Sequence, residues 1–370
     1  MRYDKLQDRS GLIRLLLIGP LPPPIGGATQ LFSYLVEDLS GNSSIELEVI
    51  DISRPLGHLE LYSNLRKGAE VLWRTVRIGR HVDVISFHAN ERGRILFGPI
   101  IYLLARLLGK PIVMRAFGGA FHRTFRRLPS FYRCVLLRTY LRADRCLFET
   151  RQQVLYFSSA CGSRAVWFPN CTRFEARCQL EDPVVSRRIC RRFVYIGRVV
   201  PEKGVDSLFE IEPELPDGVS IDIYGPVGNG CSMVELCRRG NGQVRYRGVL
   251  DHHSVMECLQ DHDALVLPTR CVTEGYPGVV LEAFASGRPV IVSDLQSLRE
   301  IVDDSCGILV EMGNSQSLLD AIRRIERDDA LYESLCRGAL AKGMQFSASL
   351  RTKQFVQVCR DVVASCLPDG

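Results

Sequence analysis

Two glutamates, Glu274 and Glu282, stand with seven residues between them in TEGYPGVVLEAFASGRPVIVSD, and a cation pair, Arg198 and Lys203, stands farther up the chain in GRVVPEKGVD. Carboxylates accept hydrogen bonds from the hydroxyls of a sugar or a ribose. An arginine fork and a lysine point charge together suit a diphosphate. Gly275 and Gly278 let backbone approach a ligand, and the N–H groups at a helix start, with the positive end of its dipole, suit a phosphate. On spacing alone, both glutamates are equally compatible with solvated residues at the start of a helix, and both cations with an ordinary polar turn.

These side chains need strands and helices to place them. The apolar run Ala264–Pro268 is a strand, and Pro277 suits the first turn of a helix that Gly287 ends. Val279, Val280, Ala283 and Phe284 are expected to bury one side of that helix, and Pro289–Val292 to form the next strand. The glutamates then face a crevice at the carboxyl end of a strand, where open α/β sheets bind ligands. A strand at Phe193–Ile196 precedes Arg198. Strands at Ser220–Tyr224 and Val244–Tyr246 and a helix at Ser254–Gln260 continue an alternating β/α order.

The first half reads the same way. A strand at Leu12–Gly19 runs into PLPPPIGGAT, which holds Gly26 and Gly27, and a helix follows at Gln30–Leu39. The G-x-G-x-x-G dinucleotide fingerprint is absent from this turn. Strands are expected at Leu47–Ile52, Val82–Phe87, Pro111–Ala116 and Arg145–Glu149, with a helical stretch at Leu61–Ile78. His88 follows one strand and FGGAFH, with Gly118 and Gly119, follows another. A lone histidine at such a place more often packs than reacts. Helices at Ser315–Arg327, Ala330–Met344 and Ser349–Ser365 finish the chain.

The segment from Glu274 to Asp294 resembles the E-x7-E signature of the retaining, family-four glycosyltransferases. GRVVPEKG resembles that family's G-R-x-x-x-x-K-G, Pro169-Asn170 its "PN" turn, and Glu300-Ile301-Val302 with Gly307–Val310 its usual continuation. The resemblance implies a GT-B fold, with two doubly wound Rossmann-like domains facing each other across a cleft. It places an acceptor-binding domain at 1–180, a nucleotide-sugar-binding domain at 181–345, and a last helix at 346–370 returning to the first domain. It puts Glu274 against the donor sugar, Glu282 on the ribose, and Arg198 and Lys203 on the diphosphate. Gly26, Gly27, Gly275, Tyr276, Pro277 and Gly278 complete the nucleotide-sugar set, and Gly118 and Gly119 lie on the acceptor side. Family members carry a histidine near the reacting carbon where this chain has Phe117. His122, five residues on, is the candidate to replace it, against a surface-loop reading.

The activity implied is transfer of a sugar from a nucleotide-diphosphate sugar to a saccharide or lipid-linked acceptor in cell-surface polysaccharide or lipopolysaccharide assembly. The implied reaction retains configuration, needs no cofactor, and needs no divalent metal, in keeping with the lack of a D-x-D motif. A GT-B sugar-nucleotide epimerase and a degenerate binding-only protein are the alternatives, the second kept open by Phe117.

Composition bounds the partners. The 370 residues suffice for two domains, with 46% hydrophobic and 24% charged residues and a net charge of +5. Fourteen cysteines lack any C-x-x-C pair, which argues against zinc. With no signal-like N-terminus, the thiols read as reduced and the protein as cytoplasmic. The apolar run Ile95–Leu108 is too short to span a bilayer comfortably and reads as a buried or interfacial helix. From Arg115 to Ala143 there are seven arginines and no acidic residue, interleaved with aromatic and aliphatic side chains. That composition suits a basic helix on an anionic membrane surface through Arg123–Arg142, peripheral on the inner face of the cell membrane, or a solvated face over a core helix. Without a recognition motif it does not suit nucleic acid.

Overall fold

The computed structural model describes residues 11–24, 26–53, 61–173, 189–230 and 242–366. The chain divides into two compact units: Met1–Pro169 with Ala348–Gly370, and Asn170–Ser347. The expected boundary between Leu180 and Glu181 lies outside the described residues.

Unit one contains β1 (Ile13–Gly19), α1 (Gly27–Ser40), β2 (Ile45–Asp51), α2 (Leu61–Gly79), β3 (Val84–Ala89), α3 (Glu91–Leu107), β4 (Ile112–Ala116), α4 (Phe121–Arg127), α5 (Ser130–Arg138), β5 (Arg145–Phe148), α6 (Arg151–Cys161) and β6 (Ala165–Trp167). Its six strands form one sheet in the order β2-β1-β3-β4-β5-β6, all parallel. The central strands are buried along nearly their whole length, which is why LLLI, VISF and IVM read as nearly continuous apolar runs.

Unit two contains β7 (Arg192–Ile196), α7 (Val205–Glu210), β8 (Ser220–Tyr224), β9 (Val244–Gly248), α8 (Val255–Asp261), β10 (Ala264–Leu267), α9 (Gly278–Ala285), β11 (Val290–Ser293), α10 (Gln296–Arg299), β12 (Gly307–Val310), α11 (Ser315–Arg327) and α12 (Asp329–Met344). Its sheet is also parallel, ordered β12-β11-β10-β7-β8-β9. The chain then ends in α13 (Ala348–Ala364), which belongs to unit one. There the Thr352 hydroxyl donates to Asp38 at 2.8 Å, and the Gln354 amide donates to the Trp167 carbonyl at 2.9 Å. The Phe355 ring lies 5.6 Å from His88 and 6.1 Å from Phe168.

Three expectations need correction. The basic segment is not one helix. Leu128 is extended before Pro129, as the residue preceding a proline prefers, so the stretch breaks into α4 and α5. Phe121, Phe125, Leu136, Tyr140 and Leu141 are core residues rather than an exposed apolar face. On α9 the buried side carries Val280, Leu281, Ala283 and Phe284, while Val279 is half-exposed. One helical step moves the stripe past Val279 and brings Leu281 in.

Candidate functional site in unit two

In the second sheet the strand order reverses between β7 and β10, so loops leaving the carboxyl ends of these neighbours flank a switch-point crevice. The loop after β7 carries Arg198 and Lys203, and the loop after β10 carries Glu274. Besides the contact of Lys203 with Glu274, four hydrogen bonds tie the β10 loop to the β7 loop and the start of α7. The Arg270 N–H donates to the Glu202 carbonyl at 2.9 Å, and the Thr269 hydroxyl lies 3.4 Å from the same carbonyl. The Arg270 guanidinium donates to Asp206 and to the Ser207 hydroxyl, each at 2.8 Å.

Lys203 Nζ stands 2.5 Å from Glu274 Oε2, with both side chains only about 15% exposed (15% and 14%). Thr269 Oγ1 lies 3.4 Å from the same carboxylate oxygen. Next to Lys203, Gly204 adopts φ +71°, and a Cβ there would lie 1.9 Å from the Pro268 carbonyl oxygen. Only glycine lets the lysine loop lie this close to the end of β10. Arg198 is exposed and forms no ion pair among the described residues. Its carbonyl is fixed by the Tyr195 hydroxyl at 2.7 Å.

Helix α9 starts after Pro277 without a side-chain cap. The N–H groups of Gly275, Gly278 and Val279 meet no acceptor among the described residues. They form a donor cluster at the positive end of the helix, the arrangement that receives an anion. One turn in, Glu282 is half-buried and its carboxylate has no hydrogen bond or ion pair among the described residues. Burial without a compensating cation pushes its carboxyl up to about 7.

Tyr276 turns its side chain inward. The ring is buried 6.2 Å from Phe346, and its hydroxyl donates to Glu300. The Asn170 amide donates to the Tyr276 carbonyl at 2.9 Å and holds the loop from the other side. Asn170, Thr269, Arg270 and Glu300 all shape this loop, yet the sequence reading assigned none of them a role. The "PN" turn and the "E-I-V" run were the signals available for two of them, but a partner more than twenty residues away cannot be read from a local pattern.

The candidates of unit one lie at the carboxyl end of their own sheet. Gly26 precedes α1, its N–H bound to Thr29 Oγ1 at 2.9 Å, and a Cβ on Gly27 would meet nothing within 4 Å. The Gly118 N–H donates to Glu149 at 2.7 Å and its carbonyl accepts from Gln153 at 2.8 Å, while Gly119 is buried. His122 is buried on α4, its ring 5.7 Å from Tyr156, so the surface-loop reading of this residue does not hold. His88 is fully buried beside the Ser86 hydroxyl at 2.8 Å. Burial and the nearby Arg115 push its pKa well below the usual histidine range. Phe117 is buried under the Arg115 guanidinium, 4.6 Å from its ring.

Residues 190–328, which include both loops and α9, match the family described as Glycosyl transferases group 1. That segment is therefore similar to the group 1 glycosyl transferases. One similar protein is the N,N'-diacetylbacillosaminyl-diphospho-undecaprenol alpha-1,3-N-acetylgalactosaminyltransferase of Campylobacter jejuni, 27% identical over 169 residues. That match spans 45% of this chain and under half, 44%, of the relative's own length. The alpha-D-kanosaminyltransferase of Streptomyces kanamyceticus is 24% identical over 352 residues, 85% of this chain and 88% of that one. Among solved structures, Anabaena HepE in complex with UDP superposes with a TM-score of 0.69 at 17% identity, covering 95% of this chain and 100% of that one. The fold of this chain is therefore that of the GT-B glycosyltransferases, each unit a parallel six-stranded sheet with alternating helices.

Proposed function

We propose that this protein is a glycosyltransferase that moves a sugar from a nucleotide-diphosphate sugar to a saccharide or lipid-linked acceptor, with retention at the anomeric carbon and without a divalent metal. The observation that carries this reading is the meeting of Lys203 and Glu274 at the β7/β10 switch point, beside the open N–H groups of Gly275, Gly278 and Val279. In this reading Glu274 accepts hydrogen bonds from the donor sugar while Lys203 and Arg198 take the diphosphate. The N–H groups at α9 add to that anion site, and Glu282 accepts from the ribose hydroxyls. On unit one, Gly26 and Gly27 and the pair Gly118 and Gly119 are assigned to backbone approach of the substrates.

The reaction breaks the bond between the anomeric carbon and the diphosphate oxygen, and its electrons stay on that oxygen. Arg198, Lys203 and the N–H groups stabilise the charge as it grows. The acceptor hydroxyl forms the new bond, and its proton passes to the departing diphosphate. Retention and metal independence rest on the resemblance of the E-x7-E and G-R-x-x-x-x-K-G stretches. HepE was solved with UDP, which supports a uridine donor, and the carrier named in the Campylobacter relative supports a lipid-linked acceptor.

The test is release of nucleoside diphosphate from a panel of UDP-, GDP- and ADP-sugars, with and without membrane lipid extract, for wild type, Arg198→Ala and Glu282→Ala. Release from one donor that rises with extract and collapses in both variants is the expected result. Binding of a donor without release under any condition would instead support a binding-only protein, the reading favoured by Phe117 at the position of the family histidine.

A further inference from the structure

Helix α3 carries an apolar row that nothing in the described chain covers. Leu96, Ile100, Leu103 and Leu107 are 57%, 40%, 53% and 82% exposed. Their spacing of four, three and four residues puts them on one helix face, a strip about 16 Å long at the α-helical rise. Single exposed leucines are ordinary on protein surfaces, but a continuous row marks a contact surface. Helix α5 packs beside α3, with the Tyr132 hydroxyl donating to the Ile95 carbonyl at 2.7 Å, and it exposes Phe131.

Along the chain, the segment that carries this row has charge of one sign. Between Glu91 and Asp144 the chain carries ten arginines and one lysine and no acidic residue. Arg92, Arg126, Arg127, Arg138 and Arg142 are exposed. The two flanking acids are engaged, Glu91 with the Thr124 hydroxyl at 2.7 Å and Asp144 with Arg106 at 3.0 Å. No helix among the described residues is long and apolar enough to cross a membrane, so a lipid partner would be met side-on.

We propose that α3 and α5 form a docking face for an anionic lipid bilayer, with the α3 row in the boundary between head groups and acyl chains and the arginines among the head groups. An apolar row flanked by cations is the pattern that partitions into an anionic interface. A second copy of the chain fits poorly, because a two-fold contact would set the same cationic region against itself. The proposal goes beyond the donor reading of unit two and needs no turnover.

The experiment is flotation of the full chain with vesicles of phosphatidylcholine alone or mixed with phosphatidylglycerol, at low and high salt. Wild type is expected to float only with the anionic vesicles and to be released as salt rises. Leu103→Asp and Ile100→Asp should each lower the partition coefficient about tenfold or more, with thermal melting and nucleotide-sugar binding unchanged. In Leu103→Trp, indole emission should shift to the blue on binding and be quenched by brominated lipid. Wild type that stays in solution at low salt, or Asp variants that float like wild type, would overturn the proposal. So would self-association in sedimentation that Leu103→Asp abolishes, since the row would then belong to a second copy. Flotation with no turnover would count against the transferase reading alone.

Discussion

The Lys203 ammonium and the Glu274 carboxylate lie 2.5 Å apart although 71 positions of sequence separate them. Parallel neighbours β7 and β10 make this possible, because both strands deliver their loops to the same edge of the sheet. The pair is largely out of water, so each charge depends on the other or on a ligand that replaces it.

Removing only the lysine should therefore harm both stability and chemistry. Lys203→Met is expected to cost about 1–3 kcal/mol in denaturant unfolding, by leaving a poorly solvated carboxylate. Turnover should fall about 100-fold or more through lost stabilisation of the leaving group. The double variant Lys203→Met/Glu274→Met should recover most of the stability and none of the turnover. A double variant no more stable than the single one would show that the carboxylate was not the source of the cost.

Glu282 should make donor binding depend on pH. Its carboxyl is raised from 4.5 to about 7 by burial, so between these values the folded chain holds a proton that the unfolded chain has released. Stability from this group falls as pH rises through that window. Binding that needs the carboxylate as acceptor rises over the same range, by up to about tenfold per pH unit. Calorimetry with a UDP-sugar, whose phosphates stay ionised throughout, measures it. A Glu282→Gln profile as steep as that of wild type would assign the pH dependence elsewhere.

Gly204→Ala tests how the two loops meet. The left-handed conformation alone costs a side chain about 1–2 kcal/mol, and the added methyl would meet the Pro268 carbonyl oxygen at 1.9 Å. A combined loss of at least about 3 kcal/mol in the unfolding of unit two is expected, with weaker donor binding. Unchanged unfolding would mean that β10 yields at this point.

Asn170→Ala removes the amide that holds the Tyr276 carbonyl. The expected stability change is about 1 kcal/mol. The effect on function should appear as a several-fold rise in the dissociation constant for nucleotide sugar, with the fold retained by circular dichroism. Donor affinity equal to that of wild type would leave Asn170 a purely structural residue.

Much of the fold was legible because parallel strands buried on both faces read as unbroken apolar runs, as at Phe193–Ile196 and Ala264–Leu267. The loops could be located for the same reason, since Arg198 and Glu274 follow such runs directly. What each residue touches was not legible. Tyr276 looked like a loop residue open to ligand, yet its ring packs on Phe346, seventy positions away. The break at Pro129 was visible in the sequence but was outweighed by the continuity of charge from Arg123 to Arg142. The outward row of α3 was hidden because the helix is apolar on nearly all sides, and such a pattern carries no sign of which face meets the sheet.

Helix α13 belongs to unit one, where Phe355 packs against His88 and Phe168. The last part of that core is therefore translated only after all of unit two. During synthesis, unit two has its full complement of residues first, while the earlier half of the chain waits with the His88 and Phe168 rings uncovered. Folding order on the ribosome should thus run against chain order, and nascent chains paused within unit two would be the form most in need of a chaperone.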